Sequence, residues 1–220
     1  YTITVRGVSA GRNLARTATF VLTINTLQMA YHLNCNNAIQ VVQGQSGVVQ
    51  VQSVLDGGGA QNVTHTATTP RTGITFSSPV CAPNCTPNIG VGTLTSVPVG
   101  TYLVTVAGSP TDATPSNNSC SLPLNVLPKA PPLVALNDGG CGDPTSLVWS
   151  LSAGATDYLI EFNTTGSTAP ESSWADIVPA SLSTDFNKEH TGVLPNTRYY
   201  YRISARSPLG NSSFGTADVL

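Results

Sequence analysis

The chain has 220 residues, of which only 9% are Asp, Glu, Lys or Arg, against about 25% in an average soluble domain, while Ser and Thr together make up roughly a quarter. A net charge of −2 supplies no basic field for phosphate backbones or anionic lipids, which argues against nucleic-acid partners and membrane-surface binding. The 40% apolar fraction is enough for a core, yet no run approaches the 18 or so apolar residues of a spanning helix, so no membrane insertion is expected.

Residues 1 to 25 open with two alternating runs, YTITV and TATFVLTI. These place Tyr1, Ile3 and Val5, then Ala18, Phe20, Leu22 and Ile24, on apolar faces. They predict a hairpin with RGVSAGRNLAR as its loop, and two strands alone leave one apolar face uncovered. The opening segment lacks the charged start, apolar middle and cleavage site of a signal peptide, so a mature chain or an excerpt is expected. From Tyr31 to Leu127 come YHLNC, AIQVVQ, GVVQVQSVL, NVTHTAT, GITFSS, GVGTLTSV, TYLVTVAGS and SCSLPLNVL, separated by Gly, Pro, Asn and Asp clusters. Short strands at near-regular spacing predict a β-sandwich. PKAPP, residues 128–132, fixes an extended geometry and removes backbone donors, as suits a joint between domains. Beyond it the chemistry changes: nine of the eleven acidic residues and both tryptophans, Trp149 and Trp174, follow residue 131. No helix of ordinary length is legible.

Five cysteines, Cys35, Cys81, Cys85, Cys120 and Cys141, form no C-x-x-C pair and have no histidine at zinc-finger spacing, so disulfides are preferred to metal. Alternation turns Cys35 inward with Tyr31 and Leu33, and Cys120 inward with Leu122, Leu124 and Val126. If these lie on the first and last strands of one sandwich, a Cys35–Cys120 bridge closes a loop of about 85 residues, worth roughly 4 kcal/mol. Cys81 and Cys85 bracket Ala-Pro-Asn, where a local bridge would stiffen an exposed loop. Cys141 is left over, either as a free thiol or as a link to another chain.

The sequence also echoes itself. Residues 102–127 follow the scheme of residues 1–25: a tyrosine, alternating apolar positions, a polar loop, then a second alternating strand. This arrangement resembles the closing hairpin of bacterial immunoglobulin-like modules found in tandem in surface proteins. Gly100, Thr101, Tyr102, Val104, Thr105, Val106 and Gly108 match that pattern, and Tyr1, Ile3, Thr4, Val5 and Gly7 match it in the first segment. Residues 131–220 resemble a fibronectin type III domain. Val193, Pro195, Thr197, Tyr199, Ile203 and Ala205 occupy the places of its penultimate-strand motif, with Trp149 at the core tryptophan and Tyr158 at an inward aromatic on the next strand. The resemblance implies that Tyr199 is a corner tyrosine whose hydroxyl ties the crossover to the backbone. Leu147, Trp149 and Leu151 are expected to share one face. No Arg-Gly-Asp tripeptide occurs.

The reading is therefore an all-β chain of tandem immunoglobulin-like and fibronectin type III-like β-sandwiches. Residues 1–26 are read as the C-terminal hairpin of a preceding immunoglobulin-like module, 27–127 as a whole one, 128–132 as the linker and 133–220 as the fibronectin type III-like sandwich.

Catalytic signals are weak. Gly7-Val8-Ser9-Ala10-Gly11 fits G-x-S-x-G, but that elbow needs a strand-to-helix turn, and here a strand follows. Residues 1–130 hold only two carboxylates, Asp56 and Asp112, too few to expect a glycosidase pair there. Glu189 and His190 adjoin on a strand and face opposite ways, as a solvated edge would have them. His65, between Val63 and Ala67, reads as a hydrogen-bonded edge histidine, and His32 as outward. Asp138 and Asp143 in NDGGCGD are too sparse for a calcium joint, and no metal or cofactor is expected. Trp174, Tyr200 and Arg202 are read as exposed candidate glycan contacts, against the plainer alternative of edge residues covering apolar surface. Sequons begin at Asn62, Asn84, Asn117, Asn163 and Asn211, about as many as chance supplies.

The function expected is that of a non-catalytic structural segment of an extracellular or cell-surface fibre, sheath or stalk, secreted by a bacterium. Its partners would be further copies of itself or adjoining modules of a longer chain. The alternatives are accessory modules of a secreted polysaccharide-degrading enzyme, or a glycan-binding adhesin or virion decoration.

Overall fold

The computed structural model describes residues 1–12, 14–23, 28–111, 118–138, 144–177, 181–182, 184–215 and 218–219, with backbone alone for 133–138, 181–182 and 218–219. Cys141, Asp112, Asp143 and Asn117, and the Asp138 side chain, lie outside the described residues, so the readings placed on them do too.

β1 (Thr2–Val8) and β2 (Ala15–Val21) form an antiparallel ribbon that pairs with no other described strand. Its register sets Ile3 opposite Phe20 and Val5 opposite Ala18, while Tyr1 and Leu22 exchange hydrogen bonds at the open end. One face of the ribbon is thus apolar, and Val5, Ala18, Phe20 and Leu22 are exposed on it.

A sandwich follows, with ten strands among the described residues: β3 (Ala30–Asn34), β4 (Ile39–Val42), β5 (Ser46–Gln50), β6 (Gln52–Gly57), β7 (Val63–Thr68), β8 (Ile74–Phe76), β9 (Val80–Cys81), β10 (Asn88–Thr93), β11 (Gly100–Pro110) and β12 (Asn118–Leu127). One layer has the order β4-β12-β11-β7-β9, with β4 parallel to β12 and the other pairs antiparallel. The other layer comprises β5-β10-β8 and β3-β6. Val49, Val51 and Ser53 are buried with exposed Gln50 and Gln52 between them, so alternation runs unbroken from β5 into β6 and the two act as one strand. Val49, Val51, Ile89 and Val91 meet Val63, Val104, Val106, Leu122, Leu124 and Val126 across the core. The first strand changes layers after Asn34: β3 pairs with β6, whereas β4 pairs with β12. GVGTLTSV proves shorter than its alternation predicts, because the chain turns at Leu94 and returns Val97 to the core.

The second sandwich has β13 (Leu133–Asp138), β14 (Thr145–Trp149), β15 (Asp157–Asn163), a 3-10 turn at Glu171–Ser173, β16 (Ala175–Asp176), β17 (Ser181–Leu182), β18 (Asn187–His190), β19 (Tyr200–Ser207), β20 (Gly210–Asn211) and β21 (Asp218–Val219). Three strands, β13-β14-β18, form one layer. The other has the order β16-β15-β19-β20, with β17 on β15 and β21 on β19. Trp149 meets Tyr158 edge to face at 5.5 Å, above Leu147, Ile160, Tyr201, Ile203 and Ala205. Tyr199 is buried, and its hydroxyl accepts the Leu194 N–H at 3.0 Å, tying the crossover before β19 to the backbone. Leu151 departs from expectation. β14 ends at Trp149, the chain turns at residues 152–155, and Leu151 is exposed while the Tyr158 hydroxyl accepts the Ser152 N–H at 2.7 Å.

Candidate functional site

A few specific contacts join distant parts of the sequence where the two sandwiches meet. Alternation along AIQVVQ puts Val41 and Gln43 on the inward face, so a polar side chain is buried beside the core and must find partners. Gln43 Nε2 donates to the Val97 carbonyl at 2.6 Å, its Oε1 accepts the Lys129 N–H at 3.4 Å, and its own N–H donates to the Leu127 carbonyl at 3.0 Å. One side chain thereby fastens the start of the linker to the first sandwich. Pro128 and Pro131 are buried, so this connector is packed, whereas an extended spacer would be solvated.

Three further contacts bridge the sandwiches. Gln40 Nε2 donates to the Leu209 carbonyl at 3.2 Å, and Leu127 packs beneath Gly210, where an added Cβ would stand 3.2 Å from Leu127 Cδ2. On the other side Gly154, at φ +79°, faces Val99 so closely that an added Cβ would lie 2.6 Å from Val99 Cβ. That position demands glycine both for its left-handed backbone and for the room. None of these contacts was expected from the sequence. The available signal was Gln43, a polar residue at an inward position directly before Gly44.

The outward face of β15 and β19 carries the candidate glycan contacts, and none of the three is fully open to solvent as expected. Arg202 is buried and Trp174 half-buried; Tyr200 is partly exposed, with the Arg198 guanidinium 5.9 Å from its ring centre. The Arg202 guanidinium lies 4.3 Å from the Trp174 ring centre and 3.8 Å from that of Phe214. Its Nε donates to Glu161 at 2.7 Å, while its two terminal nitrogens fork onto Glu171 at 2.8 and 2.5 Å. Burial opposes the charge on Arg202, but its hydrogen bonds to Glu171 and Glu161 and their negative charges outweigh it and raise the pKa; the same contact lowers that of Glu171. Cross-strand register puts Glu161 opposite Arg202 and Asp157 opposite Arg206, which also form an ion pair. One ring face of Trp174 is therefore occupied by Arg202, and its Nε1 donates to Ala169 at 3.3 Å. Arg202 latches the loop before β16 onto the sheet.

Both inward histidines differ from the sequence reading. His190 is buried, not solvated: Phe162, Tyr199 and Tyr201 surround it, with Nδ1 3.0 Å from the Tyr201 hydroxyl, because alternation turns it inward while Glu189 faces water. His65 is fully buried, between β11 and the short edge strand β9, and neither ring nitrogen has a hydrogen-bond partner among the described residues. The expectation of a hydrogen-bonded edge position fails because β9, invisible in the sequence as a strand, covers that edge. Burial lowers the pKa of both histidines. His32 is exposed and pairs with Asp56 at 2.7 Å.

Cys35 and Cys120 form a disulfide where the first strand changes layers, with Cα atoms 5.7 Å apart. Cys81 and Cys85 form another. Its loop is not the exposed one anticipated. Pro83 and Pro87 are buried, and Cys85 pairs with Ser53 of β6 while Cys81 pairs with Val63 of β7, so the short bridge links the two layers. Ser9 sits in the exposed turn between β1 and β2, a strand-to-strand setting foreign to a hydrolase elbow. Among the sequons, Asn163 is buried and spent on the turn that follows, accepting from the N–H groups of Thr165 and Gly166.

No protein-family model matches the chain, and no curated protein does. Among solved structures, the chain is similar to the FN1–FN3 domains of chicken CNTN1 at 13% identity, covering 98% of this chain and 75% of that one with a TM-score of 0.39. It is also similar to a two fibronectin type III domain segment of chicken tenascin, at 8% identity over 88% and 98% of the respective chains with a TM-score of 0.41. A third likeness is to a Fn3-like protein from Clostridium thermocellum, at 27% identity over 42% of this chain and 88% of that one, TM-score 0.34.

Proposed function

We propose that the chain is a non-catalytic structural segment of an extracellular or cell-surface polypeptide, a fibre, sheath or stalk, that holds successive β-sandwiches in line. The packed joint carries this reading. Gln43 holds the connector to the first sandwich, while Gln40, the Leu127–Gly210 contact and the Val99–Gly154 contact join the two sandwiches directly, which supports sandwiches that transmit force together. Two disulfides support an oxidising compartment outside the cytosol. The surface is held in solution by hydroxyls more than by charge, which suits lateral packing in an assembly. In such an assembly the segment continues end to end with further modules.

Mass measurement of the native material under non-reducing conditions tests the reading. The expected finding is a polypeptide well above the 22.7 kDa of this segment, recovered from the extracellular or surface fraction. Recovery of a free segment of this size from the cytosol, or turnover of a substrate by it, would contradict the reading.

A further inference from the structure

The exposed ribbon at the amino end repeats the closing ribbon of the first sandwich residue by residue. In β11 and β12 the inward pairs are Tyr102 with Leu124, Val104 with Leu122 and Val106 with Cys120, followed by Gly108 with Asn118. In β1 and β2 the same order is Tyr1 with Leu22, Ile3 with Phe20, Val5 with Ala18 and Gly7 with Arg16. Apolar faces coincide at each step, and the glycine falls at the same place. The surroundings differ completely. Val104, Val106, Leu122 and Leu124 are buried, but Val5, Ala18 and Phe20 are exposed.

The glycine shows what the copy lacks. At Gly108 an added Cβ would stand 3.0 Å from both the Tyr31 hydroxyl and Val63 Cγ1, and that hydroxyl donates to the Gly108 carbonyl at 2.7 Å. At Gly7 nothing lies within 4 Å. A residue pattern that makes room for an inward tyrosine from the first strand is present without the tyrosine.

We infer that β1 and β2 are the closing ribbon of a third sandwich built like residues 30–127, and that polypeptide preceding Tyr1 supplies its other strands. Those strands are equivalents of β7, which pairs with β11, and of β4, which pairs with β12, together with the facing layer that carries an inward aromatic over Gly7. In a second copy of this segment the equivalent position is already filled by its own β11 and β12. The inference deepens the in-line reading and rests on it.

Amide hydrogen exchange tests it on residues 1–220 and on the natural polypeptide extended ahead of Tyr1 by about 100 residues, one sandwich. Protection of the β1 and β2 amides is expected to rise at least about 100-fold on extension, independent of concentration, with β11 unchanged. Gly7→Val is expected to leave residues 1–220 unaltered and to reverse the gain in the extended form. Unchanged exchange on extension, or protection in residues 1–220 that grows with concentration, would overturn the inference, the latter by assigning the cover to a second copy. Failure of the in-line reading shows elsewhere, as independent tumbling of the two complete sandwiches with the ribbon still protected.

Discussion

Arg202 concentrates the chemistry of the second sandwich in a single side chain, since it fills the space between two rings and hydrogen-bonds two carboxylates at once. Removing it leaves the buried Glu161 carboxylate without its partner, so Arg202→Ala is expected to lower the unfolding free energy by about 3 kcal/mol in denaturant titration. Arg202→Lys should recover less than half of that loss, because an ammonium cannot make the fork to Glu171 while also reaching Glu161. His65 and His190 set the pH response. Their folded pKa values lie below the ordinary 6.5, so the unfolded chain takes up protons that the folded chain refuses. Stability is then full above about pH 6.5 and falls as pH drops from there toward the lowered folded values, with a slope of at most about 1.4 kcal/mol per pH unit for each histidine. Thermal unfolding across pH 5–8 checks this, and His65→Leu should flatten the His65 share of the slope. Neither role was legible in advance. Arg202 and Glu161 sit on an outward face that alternation marks as solvated, and only the loop folded across that face encloses them. His190 was misjudged because its neighbour Glu189 advertises a polar edge, although alternation alone puts the two on opposite faces.

At the scale of strands, the two disulfides do different work. Cys35–Cys120 fixes the crossing of the first strand between layers and closes a long loop, so the Cys35→Ala, Cys120→Ala pair is expected to cost about 2–5 kcal/mol in chemical denaturation. Cys81–Cys85 spans four residues and ties β6 to β7 through the loop, so its removal should act locally, by exposing Ser53 and the end of the core. Alternation made nearly every long strand visible, because each presents one face to a core and one to water. The short ones escaped: β9, β16, β17, β20 and β21 have two residues each, too few for any period to register. The inward cysteines were legible through their apolar neighbours Leu33 and Leu122, whereas the contact of Cys85 with Ser53 depends on tertiary folding alone.

On the scale of the whole molecule, the claim is that a short connector, anchored by the buried Pro128 and Pro131 and by Gln43, makes two domains move as one. PKAPP is read from the sequence as a joint, but the contacts around it come from residues scattered over 170 positions, from Gln40 to Gly210, which no local pattern connects. NMR alignment of residues 1–220 is the most direct test. The account predicts that β-strand amides of both sandwiches fit a single alignment tensor, and that Gly154→Val, which drives a side chain into Val99, splits it into two. Two distinct tensors in the unmodified protein would contradict it.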